Sequence, residues 1–398
     1  MRARAWVILT GEYPPQRGGV ADHTRLLAEG LAARGHEVHV CAPDPEEPAE
    51  PTPPERGGVQ VHRLPGSFGP RALATLDALL LDELPRPRRL LVQYVPHAFG
   101  QRALNLGLCV WLAARGRQET LWTYFHEVAY PYQDPPWRRT NLLAGGHRLM
   151  AALVARASAR RLVTTPRWAE LLAQVADPAR YPCEWQGVFS NLPTAADPAR
   201  VLALRAELGA PGQGEGSARD RVLLGHFGSY GRLIAPALAA SAPRALDRAP
   251  RAHLVLLGRG SEAFAAALRA EHPRHGQRIH ARGALAPAAA AEAISAMDLL
   301  LQPYEDGVCS RRGSLQAALA LGRCVLTHAG PATEPLWAES GAVALAPGSP
   351  DALAAAAAQL CADPQRRAEL GARARRVYTE RFALERTLER LEGEAPLP

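Results

Sequence analysis

The stretch AWVILTGEYPPQRGGVADH, residues 5–23, joins a short apolar run to a polar loop with paired glycines and then to a helical pattern. The apolar run predicts a buried strand, and the residues from about 20 to 34 predict a helix. Gly18 and Gly19 lie between them, where glycine lets backbone N–H groups approach an anion that the helix dipole also attracts. The pattern is not G-x-G-x-x-G, which disfavours a dinucleotide site. A tight turn that merely requires glycine explains the pair equally well.

The same strand–helix alternation continues along the chain and predicts two parallel α/β domains in series, each a doubly wound Rossmann-like fold. In the first half, strands are predicted near 5–10, 37–42, 59–64, 89–95, 120–126 and 161–165, with helices at about 20–34, 71–83, 101–115 and 137–160. In the second half, strands are predicted near 221–227, 253–258, 279–283, 298–303, 323–327 and 342–346, with helices at about 233–247, 261–271, 287–296, 311–321 and 350–361. Two further helices are predicted between 364 and 392.

These elements predict an N-terminal domain over residues 1–193, a linker over 194–220 and a C-terminal domain over 221–375. The linker contains Gly-Gln-Gly-Glu-Gly at 212–216, a composition typical of flexible loops. The last segment, 376–398, is expected to return as a helix toward the N-terminal domain. Because ligands of doubly wound sheets bind outside the carboxyl ends of strands, the active site is expected in the cleft that the two domains form between them.

The chain contains no lysine, so all 46 of its basic residues are arginine. A formal net charge of +7 favours anionic partners in general. Nucleic acid is not indicated, because the sequence has no run of five basic residues and no interleaving of basic and aromatic residues. Any phosphate held by a cationic side chain must therefore be held by arginine or by a protonated histidine.

The six cysteines are scattered without a C-x-x-C pair, which argues against structural zinc and disulfides and is typical of a reducing cytoplasm. The N-terminal apolar run is too short for the core of a signal peptide. No uncharged apolar stretch is long enough for a spanning helix. We therefore expect a cytoplasmic protein, with peripheral membrane contact as a further hypothesis. That hypothesis rests on basic residues along the apolar helix after Trp137, which an ordinary surface helix of an arginine-rich protein also explains.

Two candidate ligand-binding groups follow predicted strands. His126 ends the run Thr-Tyr-Phe-His at 123–126, where it can hydrogen-bond a sugar hydroxyl or serve as a structural histidine. Gly228, Ser229 and Arg232 follow the first strand of the second half, where flexible glycines and an arginine suit a diphosphate. An ordinary βα loop with a solvated arginine is the alternative.

The run QPYEDGVCSRRGSLQAA, residues 302–318, carries the sharpest signal. Two acidic groups precede Arg311 and Arg312 at a predicted helix start, an arrangement that suits a charged ligand with hydroxyls. A charged helix cap, with Ser310 as the N-cap, is the alternative explanation. Two arginines at a helix N-terminus oppose the dipole preference, so their placement is easier to explain if they meet an anion. The candidate ligand-binding residues of this run are Glu305, Asp306, Ser310, Arg311, Arg312, Ser314 and Gln316.

Taken together, these residues resemble family 4 of the retaining glycosyltransferases, which have the two-domain GT-B fold. The string EYPP…GGVAD at 12–22, followed by GHEV at 35–38, is similar to that family's opening. The resemblance implies that His126 contacts the donor sugar, that Gly18 and Gly19 contact the donor phosphates or the acceptor, and that Arg232 binds the diphosphate. The family's lysine is absent here, and Arg311 or Arg312 is its expected substitute.

The family also carries two glutamates spaced by seven residues, one near the donor sugar and one on the nucleotide ribose. The resemblance places Glu305, with Asp306 beside it, at the first and Gln316, eleven positions later, at the second. This segment is similar to a divergent subgroup with Gly-Val-x-Ser-Arg-Arg-x-Ser-Leu. The implied activity is transfer of a sugar, with retention, from a nucleoside-diphosphate sugar to a glycan or lipid-linked acceptor. No cofactor or metal is expected. A non-catalytic sugar-nucleotide-binding partner protein and a nucleotide-sugar epimerase are the alternatives.

Overall fold

A computed structural model describes residues 5–45, 58–209, 221–232, 234–304 and 306–393. The chain divides into two compact units. Unit 1 comprises the described residues of Met1–Gly187 together with those of Leu384–Pro398, and unit 2 comprises those of Val188–Ala383. The glycine-rich stretch at 212–216 and the candidate residue Glu305 lie outside the described residues.

Unit 1 is built on a parallel sheet whose strands are short and largely buried. Its described strands are β1 (Ala5–Thr10), β2 (Glu37–Pro43), β3 (Val59–Leu64), β4 (Arg88–Tyr94), β5 (Thr120–Phe125), β6 (Arg160–Val163) and β7 (Glu184–Trp185). They are ordered β3-β2-β1-β4-β5-β6-β7. The connecting helices are α1 (Gly19–Ala33), α2 (Pro70–Ala78), α3 (Leu106–Arg115), α4 (Arg139–Ala157) and α5 (Pro166–Ala173). Every residue of β1 is buried, as expected for a parallel strand covered on both faces.

Unit 2 repeats this architecture. Its helices are α6 (Pro198–Glu207), α7 (Ala235–Arg248), α8 (Ser261–Glu271), α9 (Pro287–Ala296), α10 (Gly313–Ala320), α11 (Pro335–Ser340), α12 (Pro350–Ala362) and α13 (Pro364–Val377). Its strands are β8 (Val222–Phe227), β9 (Ala252–Leu257), β10 (Ile279–Ala281), β11 (Leu299–Leu301), β12 (Val325–His328) and β13 (Ala344–Ala346). They are ordered β10-β9-β8-β11-β12-β13 and are all parallel. The prediction of two Rossmann-like doubly wound domains is confirmed.

The structure differs from the predicted linker, because helix α6 lies within 194–220. Asp197 caps this helix by accepting a hydrogen bond from the Ala199 N–H at 2.9 Å, and Pro198 occupies its first turn. Arg205 then donates to the Ala296 carbonyl at 2.6 Å and pairs with Asp298 at 3.1 Å. These contacts join α6 to the body of unit 2, which an abundance of alanine and proline in the sequence does not reveal.

The final helix, α14 (Leu384–Glu392), belongs to unit 1 and packs against α1. A Cβ atom placed on Gly30 would lie 2.9 Å from Leu388, so the missing side chain allows the two helices to approach closely. Glu392 accepts hydrogen bonds from Arg34 at 2.6 Å and His36 at 3.0 Å. Among the described helices, none is long and apolar enough to cross a membrane.

Candidate functional site

Each sheet has one point where its strand order reverses, between β1 and β4 in unit 1 and between β8 and β11 in unit 2. Doubly wound sheets bind ligands outside the carboxyl ends of their strands at this point. The loops after β1, β8 and β11 contain the predicted glycine pair, the Gly228–Arg232 group and the arginine run, and His126 follows β5. The sequence-predicted residues therefore cluster at the expected edge of each sheet.

The glycine pair forms the start of α1. Gly18 is the N-cap residue with extended backbone, and a Cβ atom there would collide with the Glu12 carboxylate. A Cβ atom on Gly19 would meet nothing within 4 Å, so a ligand can approach the backbone closely there. Gly11 packs against the backbone of Ala98, which brings the loop after β1 beside the loop after β4.

His126 is buried directly after β5. Its Nε2 atom lies 2.6 Å from Oε1 of Gln93, a fully buried residue of β4. The ring stacks on Tyr124 and meets the edge of His23, with centroid distances of 4.8 Å in both cases. Burial lowers the pKa of His126 to about 4, against a smaller opposing effect of Glu127. The imidazole is therefore neutral near pH 7, and its hydrogen bond to the Gln93 amide oxygen requires the proton on Nε2.

A polar cluster that the sequence analysis missed lies at the same edge of unit 1. His97 lies 3.3 Å from the Glu127 carboxylate, and this hydrogen bond raises the pKa of His97. Burial raises the pKa of Glu12, with added repulsion from Asp22 and Glu127, although His97 opposes the rise. The group combines carboxylates, which accept from sugar hydroxyls, with a histidine that can carry a positive charge. Because its members come from separate loops, no local motif marks it.

In unit 2, the loop after β8 lies against the start of α10. A Cβ atom on Gly228 would lie 4.0 Å from Ser314, so two segments predicted from separate parts of the sequence are neighbours. Gly258 packs on the Gly228 carbonyl, where any larger residue would collide. Ser229 and Arg232 are exposed, and Arg232 has no hydrogen-bond partner among the described residues.

Both arginines of the run pair with the carboxylate of Asp306. Asp306 accepts from Arg311 at 3.3 Å and from Arg312 at a shorter distance. The Arg312 guanidinium also lies over the Tyr304 ring, 5.0 Å from its centroid, while the Tyr304 hydroxyl is 2.8 Å from that of Ser314. Asp306 therefore holds both cations beside the first turn of α10.

The predicted start of the helix in this segment is wrong, and the alternative explanation of the run as a helix cap formed by Ser310 is wrong as well. Helix α10 begins at Gly313, not near Ser310, and Ser310 does not cap it. Arg311 and Arg312 therefore precede the helix. Ser310 is instead fully buried, because it makes hydrogen bonds with a residue from another part of the chain.

That residue is Glu334, which the sequence analysis did not identify. Its buried carboxylate accepts from the Ser310 N–H at 2.9 and 2.8 Å, from the Ser310 hydroxyl at 2.6 Å and from the Trp337 indole N–H at 2.5 Å. Gln316 is also fully buried, and its amide donates to the Ser310 carbonyl at 3.2 Å. Gln316, which the resemblance places at the nucleotide ribose, thus contacts Ser310 of the loop before α10. Ribose binding by Gln316 stays a prediction.

Comparison with protein families gives two matches that follow one another along the chain. Residues 18–182 match the glycosyl transferase 4-like domain, and residues 224–363 match the glycosyl transferases group 1 family. No curated protein matches the sequence significantly.

Solved structures resemble the chain over almost its whole length. Sucrose-phosphate synthase from Thermosynechococcus elongatus has a TM-score of 0.71 and 18% identity, covering 98% of this chain and 97% of its own. HepE of Anabaena in complex with UDP and glucose has a TM-score of 0.67 and 17% identity, covering 98% of both chains. WaaG, a glycosyltransferase involved in lipopolysaccharide biosynthesis, has a TM-score of 0.60 and 17% identity, covering 98% of this chain and 100% of its own. These likenesses show the GT-B fold. With the two domain matches in series, they show that the chain belongs to the GT-B glycosyltransferases, as an enzyme with a glycosyl transferase 4-like domain followed by a group 1 domain.

Proposed function

We propose that this enzyme transfers a sugar from a nucleoside-diphosphate sugar to a glycan or lipid-linked acceptor, with retention at the anomeric carbon. The observation that carries the proposal is the convergence of Gly228, Ser314 and the paired Arg311 and Arg312 at the strand-order reversal of unit 2. A diphosphate needs several donors in one place, and arginine presents them in a planar fork.

The chemical task of this site is to stabilise the charge that develops on the leaving diphosphate. Preorganised donors at the position of developing charge are usually the largest single contribution to such catalysis. Arg311 and Arg312 are already oriented by Asp306, so a bound diphosphate can take the place of that carboxylate as their partner. The exposed Arg232 is available for a second contact with the phosphates. In this proposal no side-chain nucleophile is required.

Unit 1 offers groups suited to a sugar hydroxyl. Neutral His126 can exchange hydrogen bonds with uncharged hydroxyls without adding charge to the site. Glu12 and Glu127 can accept from an acceptor hydroxyl, and a raised pKa makes Glu12 a better proton acceptor than an ordinary carboxylate. We assign the acceptor to this cluster and the donor phosphates to unit 2.

The first donors to test are UDP-sugars, because HepE structures hold UDP, UDP-glucose or UDP with glucose. A panel of nucleoside-diphosphate sugars is incubated with the full chain and candidate acceptors, and nucleotide release is measured. Anomeric configuration of the product, read by NMR, tests retention. A donor that changes its sugar in the absence of any acceptor would indicate an epimerase.

Arg311→Ala and Arg312→Ala test the phosphate site separately. A hydrogen bond to a charged group is typically worth ~1.5–3 kcal/mol, so each variant is expected to bind the donor about ten- to a hundredfold more weakly. Arg248→Ala is the matched control, because this exposed arginine pairs with Asp351 on another face of unit 2. If both loop variants bind donor as tightly as the parent, the loop does not hold the diphosphate.

A further inference from the structure

Exposed apolar side chains are concentrated in one part of unit 1. Of the ten large hydrophobic side chains that the described residues expose, eight lie between residues 104 and 149, and Trp137 is 84% exposed. The eight are Leu104, Leu106, Val110, Tyr130, Tyr132, Trp137, Leu142 and Leu149. Single exposed apolar residues are ordinary on protein surfaces, whereas a concentration of this kind marks an interaction site.

These side chains lie on two helices that pack together, α3 and α4, or on the segments directly before them. On α4, Leu142 and Leu149 are seven residues apart and therefore lie on one face. Leu104 covers Gly146 of α4, and a Cβ atom on Gly145 would lie 3.7 Å from the Tyr132 hydroxyl. The segments before each helix thus lie on the same face. We call this surface the α3–α4 face, formed by Leu104, Leu106, Val110, Tyr132, Trp137, Leu142 and Leu149.

The charge around the α3–α4 face is almost entirely positive. Between residues 100 and 157 the sequence has three acidic residues. Glu119 accepts from Arg88 at 2.5 Å and Glu127 pairs with His97, which leaves Asp134 as the exposed carboxylate of this segment. The exposed cations of the segment are Arg102, Arg117, Arg138, Arg139 and Arg156.

We propose that the α3–α4 face docks on the surface of an anionic lipid bilayer. Apolar and aromatic side chains with arginines around them are the composition of helices that lie in a membrane interface. Tryptophan and tyrosine favour that interface, and each arginine beside an anionic surface increases partitioning about fivefold. This inference rests on the proposed function only through its lipid-linked acceptor. Vesicle binding needs no sugar transfer, so the two proposals can fail separately.

The test is flotation of the full chain with vesicles of phosphatidylglycerol and phosphatidylcholine, compared with vesicles of phosphatidylcholine alone. The chain is expected to float with the anionic vesicles at low salt. Trp137→Ser and the double variant Leu142→Ser/Leu149→Ser are each expected to weaken partitioning about tenfold or more, because each removes apolar area from the lipid contact. Leu202→Ser, which alters an exposed leucine on α6 of unit 2, is the matched control and is expected to float like the parent.

The charge contribution is tested with Arg138→Ala/Arg139→Ala, which is expected to weaken partitioning about 25-fold at low salt and much less at high salt. Absence of flotation at low salt overturns the proposal. The proposal is also overturned if Leu202→Ser loses as much vesicle partitioning as the variants of the α3–α4 face. Size-exclusion chromatography with light scattering tests whether a second copy of the chain covers the α3–α4 face instead. A dimer that the Trp137→Ser variant abolishes, without vesicle binding by the parent, would assign the face to a second copy and overturn the membrane proposal.

Discussion

The role of Glu334 leads to a quantitative prediction. This buried carboxylate is the common acceptor for the N–H and hydroxyl of Ser310 and for the indole N–H of Trp337. Ser310 comes directly before Arg311, so Glu334 fixes the point from which both loop arginines extend. We predict that Glu334→Ala loosens the loop and weakens donor binding, although Glu334 itself touches no donor phosphate in the proposed function.

The magnitude follows from the donors that lose their acceptor. A buried donor without a partner costs ~1–3 kcal/mol, so three of them amount to about 3–9 kcal/mol of unfolding free energy. In a domain of ~150–250 residues, each kcal/mol lowers Tm by roughly 2–4 °C. Glu334→Ala is therefore expected to lower the Tm of unit 2 by about 6 °C or more. Glu334→Gln preserves the shape of the side chain and one acceptor oxygen, so it is expected to lower the Tm by about half as much as Glu334→Ala.

The assay combines thermal unfolding with calorimetric titration of UDP and with hydrogen exchange at the Ser310 amide. Glu339→Ala is the matched control, because Glu339 is exposed on α11, the helix that begins directly after Glu334. Faster exchange at Ser310 in Glu334→Gln, together with weaker UDP binding, is the expected signature. If Glu334→Gln keeps the Tm, the exchange rate and the UDP affinity of the parent, the carboxylate does not hold the loop and the reasoning fails.

Three further predictions test the counterion, the buried histidines and the C-terminal helix. Asp306→Asn removes the competitor of the phosphates. The ion pairs that it breaks are partly exposed, so their loss is worth about 1 kcal/mol and UDP affinity should rise about fivefold; weaker binding would show instead that Asp306 orients the arginines for the ligand. Burial, opposed by a hydrogen bond to the Leu301 carbonyl, lowers the pKa of His226 to about 4, below its unfolded value near 6.5. Between these two pKa values the unfolded state binds more protons than the folded state. The contribution of His226 to the free energy of unfolding is therefore complete above about pH 6.5 and falls by up to ~3 kcal/mol as the pH falls toward 4. Urea unfolding at pH 7 and 4.5 should show a smaller difference for His226→Asn than for the parent, and an unchanged difference would contradict this assignment. Gly30→Val places a side chain against Leu388 and should lower the free energy of unfolding of unit 1 by ~1–3 kcal/mol. Leu388→Ala should restore part of this loss. If urea unfolding shows instead that the effects of the two changes are additive, the helices do not meet at this point.

Much of the fold follows from local patterns. The apolar run at 5–10, the glycines after it and the periodicity up to residue 34 predict a strand, a loop and a helix, and the structure has β1 at Ala5–Thr10 and α1 at Gly19–Ala33. These elements are readable because burial on both faces of a parallel strand demands a continuous apolar run. Short elements such as β7 and α11 carry too few residues for a period and were not predicted.

The start of α10 shows where local reasoning ends. Serine is a favoured N-cap, worth ~0.5–2 kcal/mol, and Ser310 precedes an apolar helix. Glu334 offers both the N–H and the hydroxyl of Ser310 a buried carboxylate, and the three hydrogen bonds between these two residues outweigh the cap. Since the two residues are 24 positions apart, no local pattern contains this contact.

The sequence by itself determined the α/β class, the strand–helix order and the ends of strands where arginines, glycines and His126 would gather. Those features depend on residues within one or two turns of each other. Tertiary structure decided which groups meet: Asp306 with Arg311 and Arg312, Gln93 with His126, and Leu104 with Gly146 of α4. The physical reason is that a hydrogen bond or an ion pair depends on a few tenths of an ångström between atoms. That separation is set by how whole elements pack, and sequence spacing does not encode it.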